Sequence, residues 1–219
     1  MPRYPIVLIM IRVLIADDHT VVRKGLRLIL SSTRDIVVGG EAANGADAIS
    51  MIDRHPYDVI LLDISMPGRN GLDTLKQIRL NNPKLPVLIL SMHSEEDYAV
   101  RCLMAGASGY LKKNSSPEEL IAAIRRVAGG GRYIPPALAD KLPFTWGSRV
   151  DKQPHGKLSD REFQIMCLLA AGKGTNEIAE ELSLSSQTIS TYKARILEKM
   201  NMPSMAHVIR YAVENGLVQ

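Results

Sequence analysis

The stretch Val59-Ile60-Leu61-Leu62-Asp63 is an apolar run that ends in a chemically reactive residue, and the first half of the chain has four such runs. The other three are Val13-Leu14-Ile15-Ala16 before Asp17-Asp18, Val87-Leu88-Ile89-Leu90 before Ser91, and Gly109-Tyr110-Leu111 before Lys112-Lys113. Because each run is continuously apolar rather than alternating, it is typical of a strand buried on both faces. Amphipathic helical stretches separate the runs, so we predict a parallel sheet with helices on both faces.

The polar residues after these runs are predicted to meet at one edge of the sheet, because ligands bind outside the carboxyl ends of parallel strands. They bring together three carboxylates, a hydroxyl and a lysine ammonium. The carboxylates repel one another and need a cation, and oxygen ligands suit Mg²⁺. A carboxylate can accept a phosphoryl group as an acyl phosphate, whose other oxygens the hydroxyl and the lysine can hold. The alternative is that strand-end Asp and Ser form turns, which explains each residue singly but not the set.

These motifs resemble the receiver domain of two-component response regulators over roughly residues 11–128. The resemblance rests on Asp17-Asp18, on Asp63-Ile64-Ser65-Met66-Pro67 with Gly71, on Ser91, and on Gly106-Ala107-Ser108-Gly109-Tyr110-Leu111-Lys112-Lys113. It implies a doubly wound, flavodoxin-like α/β fold with a five-stranded parallel sheet, which we assign to residues 10–128.

The resemblance also implies a role for each residue of the site. Asp63 would accept the phosphoryl group with the help of Lys113 and Ser91, and Ser91 and Tyr110 would form the switch. Asp17, Asp18, Asp63 and the backbone carbonyl of Ser65 would hold Mg²⁺, with Asp17 acting through water. Two departures from the family pattern are Ser91, where threonine is commoner, and Asn114, which follows Lys113 where Pro or Asp is usual. A cis Lys113–Asn114 peptide bond would cost about 3 kcal/mol.

The composition limits the class of protein. A chain of 219 residues, of which 46% are hydrophobic, can form one or two domains with real cores. Its two cysteines, Cys102 and Cys167, lie in apolar helical contexts and are typical of core residues in a reducing cytoplasm. The apolar stretch Ile6–Ile15 is too short to span a membrane, so we predict neither a membrane segment nor a signal peptide, with Met10 as an alternative start.

A change in composition separates a second domain from the first. Residues 129–156 are rich in Pro and Gly and are assigned to a linker, with a short helix at Pro136–Leu142. Residues 157–219 are predicted to form a small all-α domain of four helices. The first helix begins at the capping box Ser159-Asp160-Arg161-Glu162, and the second begins at Thr175. The third spans about 186–200 after a turn at Ser183-Leu184-Ser185, and the fourth runs from Ser204 to Asn215. The middle pair has the geometry of a helix-turn-helix.

The helix at 186–200 has one face that suits a DNA major groove. Its apolar stripe is Ile189, Ile196 and Met200. The other face carries side chains that are mostly short and polar, with one arginine, namely Gln187, Thr188, Ser190, Thr191, Ala194 and Arg195, flanked by Lys193 and Lys199. The net charge of +4 does not itself indicate DNA binding, because residues 157–219 carry as many acidic as basic residues. An ordinary solvated helix face is therefore the alternative interpretation.

The second domain resembles the LuxR-type DNA-binding domain over roughly residues 157–218. The matching residues are Leu158-Ser159-Asp160-Arg161-Glu162, Gly172, Asn176-Glu177-Ile178-Ala179, Leu184-Ser185, Thr188-Ile189 and Gly216-Leu217-Val218. By position, Ser190, Thr191 and Ala194 would contact bases, and Lys193, Arg195 and Lys199 would contact phosphates.

Together the two parts are identified as a response regulator of the NarL/FixJ type. This implies a cytoplasmic transcription regulator that binds double-stranded DNA, is phosphorylated by a sensor histidine kinase or phosphotransfer protein, and forms a homodimer when phosphorylated. It would be no enzyme beyond its own phosphoryl transfer and dephosphorylation. Two alternatives remain. One is a Mg²⁺-dependent aspartate-nucleophile phosphohydrolase, although such enzymes commonly carry Asp-x-Asp where this chain has Asp63-Ile64-Ser65. The other is a regulator that docks proteins without binding DNA.

Overall fold

The computed structural model describes residues 10–66, 71–91, 96–134 and 153–218, and the first nine residues and the predicted helix at 136–142 lie outside this part of the chain. Strands and helices alternate in its N-terminal part. They are β1 (Ile11–Ala16), α1 (Thr20–Ser31), β2 (Ile36–Ala42), α2 (Gly45–Arg54), β3 (Val59–Asp63), α3 (Gly71–Asn81), β4 (Val87–Ser91), α4 (Glu96–Met104), β5 (Gly109–Lys112) and α5 (Pro117–Ala128).

The five strands form one parallel sheet in the order β2-β1-β3-β4-β5, which confirms the predicted doubly wound fold. Alternate residues of the central strands face opposite layers. Leu14 and Leu62 pack with α2, α3 and α4, whereas Ile15 and Leu61 pack with α1 and α5. All four side chains are fully buried, which is why the runs read as continuously apolar.

A residue beyond α5 adds to the outer edge of β5. Tyr133 forms an isolated parallel bridge with Gly109. The Tyr110 N–H donates to the Tyr133 carbonyl at 3.1 Å, and the Tyr133 N–H donates to the Ser108 carbonyl at 3.0 Å. The Tyr133 hydroxyl donates to Glu119 Oε1 at 2.7 Å. The first residues of the segment that the sequence assigned to the linker therefore lie against the sheet.

The C-terminal part is entirely helical in the described residues. A 3-10 turn (Pro154–Lys157) precedes α6 (Asp160–Ala170), α7 (Thr175–Glu181), α8 (Ser186–Met200) and α9 (Met205–Glu214). The predicted capping box is present at Ser159, and Ser185 caps α8. A left-handed residue, Asn201, ends α8. These bounds confirm the four predicted helices. Nowhere in the described segments is a helix both long and apolar enough to cross a membrane.

Arg101 on α4 joins the two parts of the chain. Its guanidinium donates to the carbonyls of His155 at 2.6 Å and Leu158 at 3.1 Å, and it lies 4.2 Å from the centroid of the Phe163 ring. Asp160 at the start of α6 contacts Arg101 at 3.5 Å and Lys76 of α3 at 2.5 Å. The start of the helical part thus packs on the side of the sheet covered by α3 and α4.

Candidate functional sites

The strand ends bring the predicted acidic residues together around one lysine. Asp17 follows β1, Asp63 ends β3, and both are almost fully buried. Lys113 Nζ lies 2.7 Å from Asp17 Oδ2 and 2.8 Å from Asp63 Oδ2. Lys112, the preceding residue, is exposed at the end of β5. The structure therefore places Lys113, rather than its neighbour, in the predicted position.

Burial and neighbouring charges change the proton affinity of this cluster. Burial raises the pKa of Asp63, the charge of Lys113 opposes that rise, and the charge of Asp17 adds to it. Burial alone would lower the pKa of Lys113, but the charges and hydrogen bonds of Asp63 and Asp17 raise it overall. Lys113 is therefore the fixed counter-charge, and the ionised form of Asp63 is held at an energetic cost to the fold.

Replacing Asp63 by Asn is expected to raise the free energy of unfolding of the metal-free chain at pH 7. The pKa of Asp63 is higher in the fold than its ordinary value of 3.8, so its stabilising contribution is lost as pH rises through the folded pKa. Lys113 keeps Asp17 as its partner in the variant. Urea unfolding followed by circular dichroism checks this, and the gain should vanish below pH 3.8, where the wild-type carboxyl is neutral. An Asp63→Asn chain that is less stable at pH 7 would contradict the assigned pKa shift.

The donor atoms around Asp63 fit a hard divalent cation. Asp17, Asp18, His19 and Asp63 each offer a ligand atom, and these atoms all lie within 4.8 Å of one another. Carboxylate oxygens predominate, as Mg²⁺ prefers. The Ser65 N–H donates to Asp63 Oδ1 at 3.2 Å, which places the loop after β3 beside the cluster. The metal and phosphoacceptor roles of these residues remain predictions.

Two residues outside the predicted set also contact the acidic loop. His19 Nδ1 lies 2.9 Å from Asp18 Oδ1, and the His19 N–H donates to Asp17 Oδ1 at 2.8 Å. Arg23 on α1 donates to the carbonyls of Asp17 at 2.7 Å and Asp18 at 3.2 Å. The position of His19 directly after the acidic pair could have indicated its contact with the loop. Arg23, in contrast, has the sequence context of an ordinary cation on an amphipathic helix.

The predicted switch residues end β4 and line β5. Ser91 is fully buried, and it pairs with Lys112 where β4 lies beside β5. The Ser91 carbonyl accepts the Lys113 N–H at 2.8 Å. Tyr110 is only 2% exposed. Its ring packs against the α4 layer, and its role in a switch remains a prediction. The Lys113–Asn114 peptide bond is trans, as are the others in the described ranges.

The C-terminal part presents the predicted recognition helix, α8, to solvent. Its buried residues are Ile189, Ile196 and Met200, which confirms the predicted apolar stripe. Gln187, Ser190, Thr191, Ala194 and Arg195 are exposed, and Thr188 and Lys193 are half-buried. The Ser190 and Thr191 hydroxyls donate to the carbonyls four residues before them, at 3.0 and 3.1 Å. The exposed face therefore carries short, mostly polar side chains, which can approach base edges closely.

The three predicted phosphate contacts differ in their partners within the chain. Arg195 lies over the Tyr192 ring at 5.9 Å, and Lys193 contacts the Thr175 hydroxyl at 3.4 Å. Lys199 Nζ lies 2.7 Å from Glu162 Oε2, a carboxylate whose side chain is 3% exposed. Burial acts to raise the pKa of Glu162, but Lys199 and Ser159 lower it overall. Lys199 thus neutralises a carboxylate of α6, and its contact with phosphate remains a prediction.

Replacing Lys199 by Gln is expected to lower the free energy of unfolding of the helical part by about 1 kcal/mol. The change leaves the Glu162 carboxylate without its counter-charge, and the cost is moderated because Lys199 is half-exposed. Chemical denaturation of the full chain measures this. Lys193→Gln is the matched control, because Lys193 contacts only a hydroxyl among the described residues. Equal losses in both variants would mean that the Glu162–Lys199 pair contributes nothing of its own.

Two family models match the chain, one on each part. The model of the response regulator receiver domain matches residues 13–125. The model of the luxR family of bacterial regulatory proteins matches residues 156–212. Among curated relatives, the response regulator UvrY of Escherichia coli (strain K12) is 37% identical over 212 residues, which cover 95% of this chain and 96% of UvrY. The oxygen regulatory protein NreC of Staphylococcus carnosus (strain TM300) is 36% identical over 94% of this chain and 99% of NreC.

Solved structures match over almost the whole length as well. The RcsB response regulator of Salmonella typhimurium is 25% identical, with a TM-score of 0.65 over 94% of this chain and 98% of RcsB. A second RcsB structure, of two dimers bound to two parallel DNAs, is 26% identical, with a TM-score of 0.57 over 93% of this chain and 98% of that one.

Proposed function

Because the chain belongs to the response regulators, with a receiver domain followed by a luxR-family DNA-binding domain, it is a DNA-binding transcription regulator, and we propose that phosphorylation of Asp63 controls it. The observation that carries this proposal is the contact of Lys113 Nζ with both Asp17 and Asp63. It joins the ends of β1, β3 and β5 at one charged site, and Asp63 ends the strand that pairs with β4.

In the proposed reaction, a carboxylate oxygen of Asp63 attacks the phosphorus of a phosphohistidine on a sensor histidine kinase. The phosphorus–nitrogen bond breaks, its electron pair stays on the imidazole, which takes up a proton, and Asp63 becomes an acyl phosphate. Lys113, 2.8 Å from Asp63 Oδ2, pairs with the new charge. Ser91 ends the neighbouring strand and is the proposed donor to a phosphoryl oxygen.

The carboxylates of Asp17, Asp18 and Asp63, with the carbonyl of Ser65, are the residues that would hold Mg²⁺. The donor set supports this assignment, because its ligand atoms lie close together and are mostly carboxylate oxygens. When bound, Mg²⁺ would supply charge neutralisation for the phosphoryl oxygens. Lys113 and Ser91 would hold the remaining oxygens, so that the chain itself orients the group toward Asp63.

We infer that the receiver passes its signal through α4. A phosphorylated residue generally carries about −1.5 to −2 charges at neutral pH, enough to draw Ser91 and Lys113 toward it. Helix α4 lies between β4 and β5 in the chain and carries Arg101, whose contacts reach His155 and Phe163. A shift of α4 would weaken these contacts, free the helical domain and favour a homodimer.

The proposed output is a dimer that reads double-stranded DNA with α8 in the major groove. The exposed polar face of α8 supports this, and RcsB, a solved relative, binds DNA as dimers. A two-fold dimer would recognise half-sites about one helical turn apart. The regulator would act in the cytoplasm, where the buried thiols of Cys102 and Cys167, which are not joined in a disulfide, are compatible with reducing conditions.

We also propose that the protein catalyses only its own phosphorylation and dephosphorylation. Ser65 stands two residues after Asp63, where aspartate-nucleophile phosphohydrolases carry a second aspartate. Assays with p-nitrophenyl phosphate and Mg²⁺ are expected to show no multiple turnover. Turnover that disappears in Asp63→Asn would instead establish the phosphohydrolase.

Genome-wide DNA footprinting with and without a phosphodonor tests the regulatory proposal. Sites that gain occupancy with the donor, and that show paired half-sites, are the expected result. Identical footprints in both conditions would contradict control by phosphorylation while leaving DNA binding intact.

A further inference from the structure

The loop between β1 and α1, residues 17–19, is held by one partly buried cation. Arg23 is 14% exposed, and its Nη1 donates to the consecutive carbonyls of Asp17 and Asp18. Its Nη2 also donates to the Thr20 hydroxyl at 3.2 Å. We propose that Arg23 is a positioning residue of the phosphorylation site, which sets the direction of the two acidic side chains for metal binding. This inference rests on the function proposed above.

Two successive carbonyls held by one guanidinium fix the orientation of two peptide planes. The planes set the Cα–Cβ directions of Asp17 and Asp18, so a loop with free carbonyls can turn its carboxylates away from Asp63. The Asp17 N–H adds a third constraint by donating to the Ala42 carbonyl at 3.1 Å. Arg23 also places a positive charge behind the acidic pair, which lowers the repulsion between the two carboxylates.

Glu41 on β2 orients Arg23 and also binds a second arginine. Arg23 Nε lies 3.3 Å from Glu41 Oε2, and Arg27 Nε donates to Glu41 Oε1 at 2.6 Å. Arg27 shares this carboxylate but donates to neither carbonyl of the acidic loop. The chain therefore contains its own matched control, since Arg27→Gln removes an ion pair with Glu41 and leaves the loop contacts in place.

The competing interpretation is that Arg23 only stabilises the receiver. Residues that orient metal ligands typically change metal affinity 10–100-fold when they are replaced. A merely structural arginine would lower the stability of the metal-free and metal-bound protein by equal amounts. The size of the stabilisation produced by the metal therefore separates the two roles, because it depends on affinity.

The experiment titrates the full-length chain with Mn²⁺, using the electron paramagnetic resonance signal of free Mn²⁺, and measures the Tm with and without Mg²⁺. Wild type and Arg27→Gln are expected to bind Mn²⁺ alike. Arg23→Gln is expected to bind about tenfold more weakly and to lose most of the rise in Tm caused by Mg²⁺. Arg23→Lys keeps the charge and the fold but lacks the planar fork, so it should also bind more weakly than wild type.

Wild-type affinity in a folded Arg23→Gln or Arg23→Lys chain would overturn the positioning role and leave the proposed function standing. Equal weakening in Arg27→Gln would also overturn it, because the effect would then belong to Glu41. Failure of the wild-type chain to bind Mn²⁺ would instead remove the metal site on which both proposals depend.

Discussion

The full-length chain carrying Asp63→Asn is expected to take up no phosphoryl group from acetyl phosphate in the presence of Mg²⁺, whereas the wild type becomes phosphorylated once per chain. An amide has no anionic oxygen to attack phosphorus, so the acyl phosphate cannot form. The variant is expected to stay folded, because it removes a buried carboxylate whose ionised form burial disfavours. Asp17, Asp18 and Ser91 stay in place but do not replace the nucleophile.

Intact-mass spectrometry measures the uptake, and hydroxylamine identifies its chemistry, because it cleaves an acyl phosphate but not the phosphate ester of a serine. Asp53→Asn is the matched control, since Asp53 is exposed on α2 and the same atoms are changed. Hydroxylamine-labile phosphate in Asp63→Asn would assign the acceptor to another carboxylate, with Asp17 and Asp18 as the next candidates. Hydroxylamine-resistant phosphate would point to Ser91.

Replacing both Lys193 and Arg195 by Ala is expected to weaken binding to a mixed-sequence DNA duplex roughly 30-fold per half-site at 0.15 M salt. Each phosphate contact contributes about 0.9 to the slope of log affinity against log salt, so the slope should fall by about 2. Arg195 lies on the exposed face of α8 and Lys193 flanks it, and neither is paired with a carboxylate among the described residues. Fluorescence anisotropy at several salt concentrations gives both quantities.

Arg210→Ala is the control for this loss. Arg210 is also exposed in the helical domain, but it lies on α9 and pairs with Glu214 of the same helix at 3.9 Å. Its removal should leave the slope unchanged. A fall in slope for Arg210→Ala that equals the fall for the α8 variant would mean that DNA is bound by general positive charge rather than by the face of α8.

The sequence revealed the central strands because they are buried on both faces. The second strand, β2, has no such signal, since Ile36–Ala42 contains two glycines and a glutamate and lies at the sheet edge. Only the family resemblance implied a fifth strand. The helices of the C-terminal domain were predicted almost to the residue, because capping residues and the stripe of Ile189, Ile196 and Met200 are local signals.

Long-range partners of charged residues could not be predicted in this way. Lys199 looks like any cation at the end of a helix, and its partner Glu162 is 37 positions earlier in the chain. Arg101 reads as a surface residue of an amphipathic helix, yet its guanidinium is covered by a segment more than fifty positions away. The periodicity of apolar residues and the composition describe one helix or strand at a time, whereas these contacts depend on how two elements pack together.

The bridge between Tyr133 and Gly109 has a practical consequence for expressing the receiver alone. An uncovered outer strand offers its N–H and carbonyl groups to a second chain and invites aggregation. A fragment cut at Ala128, where α5 ends, would leave the Tyr110 N–H and the Ser108 carbonyl without the backbone partners that they have here. Carrying the fragment on to Ile134 keeps that strand capped, so the longer fragment should be the one that stays monomeric in concentrated solution.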